Sequence, residues 1–154
     1  MTKRSLRIIV DADACPVKQE VIQAGRLFQS EIWMVASFDH YLSPQPGVTI
    51  IQVDRSDQSV DLYIANHMRE GDIMITQDFG LATLGLSKRA IVLSNRGQCY
   101  DDSTIGFLLE RRHEQAKKRR AGKHSKGPKP FTEEDRINFL QTLTKVLQDM
   151  QDNV

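Results

Sequence analysis

L-R-I-I-V-D-A-D-A-C-P, residues 6–16, decides the architecture. Leu6 to Val10 is a short β-branched apolar run that breaks off at Asp11, with Asp13 two positions further on. A run of that length, bounded by a turn signal, reads as a buried strand. The same grammar returns in I-M-I-T-Q-D, residues 73–78, where Ile73 to Thr76 reads as a strand that delivers Asp78. In open parallel α/β sheets, ligands bind outside the carboxyl ends of the strands. Asp11, Asp13 and Asp78 are therefore expected at one edge of a sheet.

Working outward, Val17, Val21, Ile22, Ala24, Leu27 and Phe28 recur at helical spacing, so residues 17–28 are predicted to be a helix with Pro16 in its first turn. Residues 32–36 and 48–53 are predicted strands, separated by the Pro/Gly-containing stretch 38–47. Asp57 or Ser59 suits the cap of a helix ending near Met68. A short helix over 81–84 precedes a fifth strand over 90–93. Two more helices follow, from Thr104 to about Arg120 and from Thr132 to about Met150. In the first, Ile105, Leu108, Leu109 and Arg112 define a stripe. In the second, Phe139, Leu140, Leu143, Val146 and Leu147 form one apolar face. Between them, Gly127-Pro128 and Pro130 force an extended path. Alternating strands and helices imply a three-layer α/β/α fold with a mostly parallel central sheet, plus C-terminal helices, in a single domain over residues 1–154.

With 40% hydrophobic and 27% charged residues, the composition is that of an ordinary soluble globular protein. No apolar run approaches the ~18 residues of a membrane span, and M-T-K-R-S-L-R is not followed by the apolar core of a secretory signal. Cys15 and Cys99 are too few for a disulfide scaffold, so a cytoplasmic location is expected. The net charge of +1 conceals an asymmetry. Residues 111–129 hold nine of the 21 Lys/Arg and one of the 20 acids, leaving a remainder of 12 basic and 19 acidic residues, net −7. An acidic body with one basic segment, 111–130, suggests that the segment meets a polyanion. A solvated helix end and loop accounts for the composition equally well. Arg111, Arg112, Lys117, Lys118, Arg119, Arg120, Lys123, Lys126 and Lys129 are the candidate phosphate contacts.

The acids carry the chemistry. Asp11, Asp13, Asp61 in S-V-D-L-Y-I, and Asp78 are the candidate catalytic and metal-binding residues. Clustered carboxylates repel one another unless a cation sits among them, and a hard divalent ion, Mg²⁺ or Mn²⁺, is the usual answer. Such an ion leaves positions for a phosphodiester oxygen and an attacking water. The competing reading makes Asp61 and Asp78 ordinary helix caps. His40, His67, His113 and His124 are scattered and no zinc spacing occurs; neither a nucleophile elbow nor a P-loop is present. Cys15 lies beside two acids that would raise its pKa, which favours a packing role. Lys18 reads as a solvated helix lysine, and Thr76 and Gln77 flank Asp78 as possible hydrogen-bonding neighbours of metal-bound water.

V-D-A-D-A-C-P-V-K, V-D-L-Y-I, G-D-I-M-I-T-Q-D-F-G-L-A, R-G-Q-C-Y and K-R-R-A-G-K-H-S-K-G-P-K-P-F together resemble the YaiI/YqxD family of bacterial proteins, over about residues 7–147. That family is similar in turn to PIN-like nuclease domains, in which acids after strand 1, in a central helix and after strand 4 bind Mg²⁺ or Mn²⁺. The resemblance assigns those places to Asp11, Asp61 and Asp78, with Asp13 as an added member. Asp101 and Asp102 fall near the place of a fourth acid. It implies a metal-dependent nuclease acting on phosphodiester bonds; RNA in preference to DNA is expected as the polyanion, apart from the resemblance. Cys-Pro after the first acid and the basic Gly-Pro-Lys-Pro tail depart from PIN domains, so the substrate is not carried over. The D-x-D after a strand also resembles haloacid-dehalogenase-type phosphatases using Asp11 and Asp13, although Cys15-Pro16 leads straight into a helix without room for their flap. A third reading is a nucleic-acid-binding module that cleaves nothing.

Overall fold

Residues 6–38, 41–54, 57–122 and 129–152 are described by a computed structural model of the chain. At its centre, β1 (Arg7–Asp11) is buried on both faces: Ile8 and Val10 point into one apolar cluster and Ile9 into another. This is the two-sided burial that a continuous apolar run requires. β2 (Glu31–Ser37), β3 (Val48–Val53), β4 (Ile73–Ile75) and β5 (Ile91–Leu93) complete a sheet of order β3-β2-β1-β4-β5. Every strand pairing in it is parallel, so the sheet is wholly rather than mostly parallel among the described residues.

The helices divide by face. α1 (Lys18–Leu27) and α5 (Glu133–Asp152) pack together on one side, with Val21, Ile22, Ala24, Phe139, Leu143 and Leu147 in the first cluster. Phe139, Leu143 and Leu147 recur every fourth residue and are fully buried. Each contributes roughly 1.5–3 kcal/mol by leaving water. α2 (Asp57–His67), α3 (Phe79–Ser87) and α4 (Asp102–Arg120) cover the other face through Val60, Ile64, Leu81, Ala82 and Ile105. The expected three-layer α/β/α architecture is thus what the chain adopts.

Several boundaries depart from expectation for local reasons. α3 is nine residues long rather than the four of 81–84, because the Asp78 carboxylate caps it by accepting the Leu81 N–H. α1 begins at Lys18 with Val17 at its cap, so Pro16 lies ahead of the first turn rather than in it. α4 begins at Asp102, capped by Asp101 through the Thr104 N–H. The stripe predicted on α4 is only partly used. Ile105 is buried and Leu108 half-buried, whereas Leu109 and Arg112 are exposed. Among the described residues no helix is long and apolar enough to cross a membrane.

Candidate functional site at the β1–β4 edge

From β1 the chain crosses to β2 on one side, whereas β4 pairs with β1 on the other. The gap between the carboxyl ends of β1 and β4 is therefore the topological switch point, where open α/β sheets place their ligands. α2 and α3 leave β3 and β4 at this same edge, so the positive ends of both helix dipoles lie there. An edge built this way attracts anions and stabilises carboxylates.

Asp11 ends β1 and is half-buried. Its Oδ2 accepts the Thr76 hydroxyl over 2.9 Å, and that hydroxyl accepts the Asp78 N–H over 3.0 Å. One hydroxyl thus joins the acid after β1 to the acid after β4. The Asp78 side chain is exposed and its Oδ1 takes the Leu81 N–H over 2.9 Å, so capping and edge placement hold together for this residue. Asp13 turns the other way. Its Oδ1 accepts the Ser37 N–H over 2.8 Å and staples the D-A-D-A loop to the end of β2. Asp61 lies in the N-terminal part of α2, beside the buried Val60.

Oxygen-only donors of this kind suit Mg²⁺ or Mn²⁺ rather than a softer metal. Among the described residues no three His, Cys, Asp or Glu side chains gather as a ready ligand set. One or two carboxylates with water in the remaining positions is a donor set that Mg²⁺ accepts. Asp11 and Asp78, linked by Thr76, are the pair that would hold it.

Around the acids, the environment is set by burial. The Cys15 thiol is pushed up to about 11, first by burial and only secondarily by Asp11 and Glu20, while the Val17 N–H and Lys18 pull it down. It packs in the core and is no nucleophile. Lys18 is committed to the Cys15 carbonyl at 2.9 Å, so it closes the turn before α1. Burial, and then the charge of Asp78, pushes the Tyr100 phenol up to about 12, which keeps a protonated hydroxyl near that acid. Phe79 packs edge-on against Tyr100, 6.0 Å between centroids.

The residues that sequence reasoning passed over lie after β5. Asn95 is buried; its N–H donates to Gln77 Oε1 at 3.1 Å and its Nδ2 to the Ala14 carbonyl at 3.4 Å. It thereby ties the loops after β1, β4 and β5 into one rim. The signal was present, since I-V-L-S-N repeats the pattern of an apolar run ending in a polar residue, but an amide does not advertise itself as a carboxylate does. Arg96 next to it donates to the carbonyls of Lys129 and Pro130, pairs with Asp135 and lies over the Phe131 ring. Arg136 donates to the Pro16 carbonyl and to Glu20 Oε1. These contacts moor Lys129–Phe131 and the start of α5 beside the D-A-D-A-C-P loop.

Of the candidate phosphate contacts, Arg111, Arg112, Lys117, Lys118, Arg119 and Arg120 stand exposed on α4, and Lys129 is exposed at the moored segment. Lys123 and Lys126 lie outside the described residues. Gly122 and Lys129 are seven steps apart along the chain, so the end of α4 is within about 25 Å of the site rim. Asp101 and Asp102, near the expected place of a fourth acid, are the exposed cap and first residue of α4.

A family model described as "Uncharacterized BCR, YaiI/YqxD family" matches residues 9–149. A UPF0178 protein of Bacillus velezensis is 45% identical over 150 residues, covering 97% of this chain and 89% of the relative. A UPF0178 protein of Listeria monocytogenes is 45% identical over 143 residues, 93% and 96% of the two chains. Another, of Halalkalibacterium halodurans, is 42% identical over 142 residues, 92% and 90% of the two. No solved structure matches the chain. With nearly its whole length matched, from the D-A-D-A-C-P loop to α5, the chain belongs to the YaiI/YqxD family.

Proposed function

We propose that the protein is a divalent-metal-dependent nuclease that hydrolyses phosphodiester bonds, on RNA in preference to DNA. The observation that carries this reading is the Thr76 hydroxyl joining Asp11 to Asp78 at the switch point of a parallel sheet. When bound there, Mg²⁺ or Mn²⁺ supplies Lewis acidity for a phosphodiester oxygen and an acidified water. The chain's own residues do the rest. Asp11 and Asp78 hold the ion, and Thr76 fixes the Asp11 carboxylate. Asp13 holds the loop against β2, and Asp61 adds negative potential from α2. The exposed cations of α4 draw a polyanion to a body that would otherwise repel it.

The phosphatase reading is less well supported. It uses Asp13 as a proton donor to a leaving group, whereas the Asp13 Oδ1 accepts the Ser37 N–H and holds the loop to β2. A binding module without catalysis keeps the α4 cations and leaves Asp11 and Asp78 with structural tasks alone, the Thr76 bond and the α3 cap.

The test is cleavage of end-labelled single-stranded RNA and DNA of one sequence with Mg²⁺, Mn²⁺ or EDTA, beside Mn²⁺ titration by calorimetry. Metal-dependent cleavage lost in Asp11→Asn and Asp78→Asn supports the proposal. Tight binding of the strand without cleavage under any metal moves the protein to the binding class.

A further inference from the structure

The exposed aromatic residues are unevenly placed. Tyr41 is 80% exposed, Phe107 65% and Phe38 59%. Two of these three belong to the stretch after β2, at the carboxyl edge of the sheet. Phe38 directly follows Ser37, whose N–H is bonded to Asp13, so the ring starts one residue from the D-A-D-A loop. Its backbone is held rather than loose. The Phe38 N–H donates to the Val53 carbonyl over 2.9 Å. Downstream, Leu42 packs against the first core cluster, Pro44 and Pro46 restrict the chain, and Arg26 donates to the Pro46 carbonyl over 2.7 Å. A large apolar ring on a held backbone thus stays in water beside a polar site, where a ligand that covers it gains apolar burial.

Sheet order supplies the rest. Across the edge the chain presents, in sequence of strands, Phe38 after β2, Asp11 and Asp13 after β1, Asp78 after β4, and Asn95 with the moored Lys129 after β5. Neighbouring strands lie about 4.8 Å apart, so β2 and β5 are separated by roughly 14 Å. An aromatic platform on one side of an acidic site and cations on the other is the combination that single-stranded nucleic acids use, bases stacking on rings and phosphates on Lys/Arg. We propose that Phe38, assisted by Tyr41, is a base-stacking subsite for an unpaired nucleotide flanking the scissile phosphodiester. This rests on the nuclease reading and narrows its substrate to single strands, since a duplex offers no free base face inside the helix.

The experiment is a binding titration of a fluorescein-labelled 12-nucleotide single-stranded RNA, and of the same strand annealed to its complement, with EDTA present so that nothing is cut. The single strand should bind Phe38→Ala about 5- to 100-fold more weakly than the parent, the range that base–aromatic stacking commands. The logarithmic salt slope should be unchanged, and Phe38→Trp should restore binding. The duplex should distinguish none of these proteins. Equal melting temperatures would exclude a folding defect at this exposed position. Binding of the single strand by Phe38→Ala within twofold of the parent overturns the stacking site and leaves the nuclease reading standing. Failure of the parent to bind either strand form at low salt overturns both.

Discussion

Thr76 and Asp11 are joined by a 2.9 Å hydrogen bond whose donor is the threonine hydroxyl. That hydroxyl has one proton, and giving it to Asp11 leaves a lone pair for the Asp78 N–H at 3.0 Å. The register Val10 to Ile75 sets the two strand ends level, so the bond crosses the switch point directly. A residue buried to 1% exposure therefore ties the Asp11 carboxylate to the backbone of Asp78.

Thr76→Val keeps the shape and removes the hydroxyl. It strands a backbone N–H and weakens the hold on Asp11, at a cost of about 1–3 kcal/mol. Urea unfolding should show that loss, with Thr76→Ser recovering most of it. A valine variant as stable as the parent would mean that water replaces the hydroxyl without cost.

Asp78 has two tasks that substitution separates. Asn caps helices as well as Asp does, whereas Ala costs about 1 kcal/mol. Asp78→Asn should thus melt within a few tenths of a kcal/mol of the parent and Asp78→Ala clearly below it. Both should lose part of the stabilisation that saturating Mn²⁺ gives the parent. If Asn responds to Mn²⁺ as the parent does, Asp78 is a cap only.

The strands and the edge were legible in the sequence because β-branched runs ending in acids leave few alternatives. β3 falls at residues 48–53 as read, and β1 and β2 differ by a residue or so at their ends. α3 was harder to read. L-A-T-L-G-L-S lacks an amphipathic period, because Leu81, Ala82 and Gly85 pack inward while Leu84 stays 46% exposed. The partners of the acids were out of reach for a different reason. That Asp13 serves Ser37, 24 positions away, depends on the β1–β2 register, and that Asn95 joins three loops depends on sheet order. Neither is a property of spacing along the chain.

Gly97 fills a place no other residue fits. Its φ is +81°, and a Cβ there would lie 2.9 Å from Asn138 Nδ2, 3.0 Å from the Asn138 carbonyl and 3.0 Å from Phe139 Cα. Asn138 in turn donates to the Arg96 carbonyl at 2.7 Å, locking the loop onto α5. Gly97→Ala combines backbone strain with a clash against backbone and should cost on the order of 2–4 kcal/mol. Chemical denaturation measures it, and a loss under 1 kcal/mol would show that α5 can retreat.

Ionisation of Cys15 and Tyr100 shapes the alkaline limit. Their folded values, about 11 and about 12, exceed the ordinary 9.0 and 10.0, so the folded chain holds these protons more tightly. Their contribution to stability is full below about pH 9 and fades as pH rises through 9 to 12. Melting temperature should fall over that window, less steeply in Cys15→Ala. Iodoacetamide at pH 8 should modify the exposed Cys99 well before the buried Cys15, as mass spectrometry would resolve. Equal labelling would contradict the packing of Cys15.

The basic end of α4 separates attraction from chemistry. Lys117, Lys118, Arg119 and Arg120 occupy its last turn, where cations also favour the negative end of the helix dipole, so a purely structural role predicts only lost helix stability on their removal. A phosphate-binding role predicts more. Each phosphate neutralised on a single strand contributes about −0.7 to the slope of log affinity against log salt. Changing Lys118, Arg119 and Arg120 together to Ala should therefore flatten that slope by about two units and weaken binding with little dependence on sequence. Asp78→Asn should leave binding intact or improve it, by removing a negative charge from the strand's path, while cleavage disappears. The opposing effects make the two variants a paired control. A triple variant that binds like the parent at low salt would leave these residues as a solvated helix end, with the aspartates and Thr76 alone carrying the functional reading.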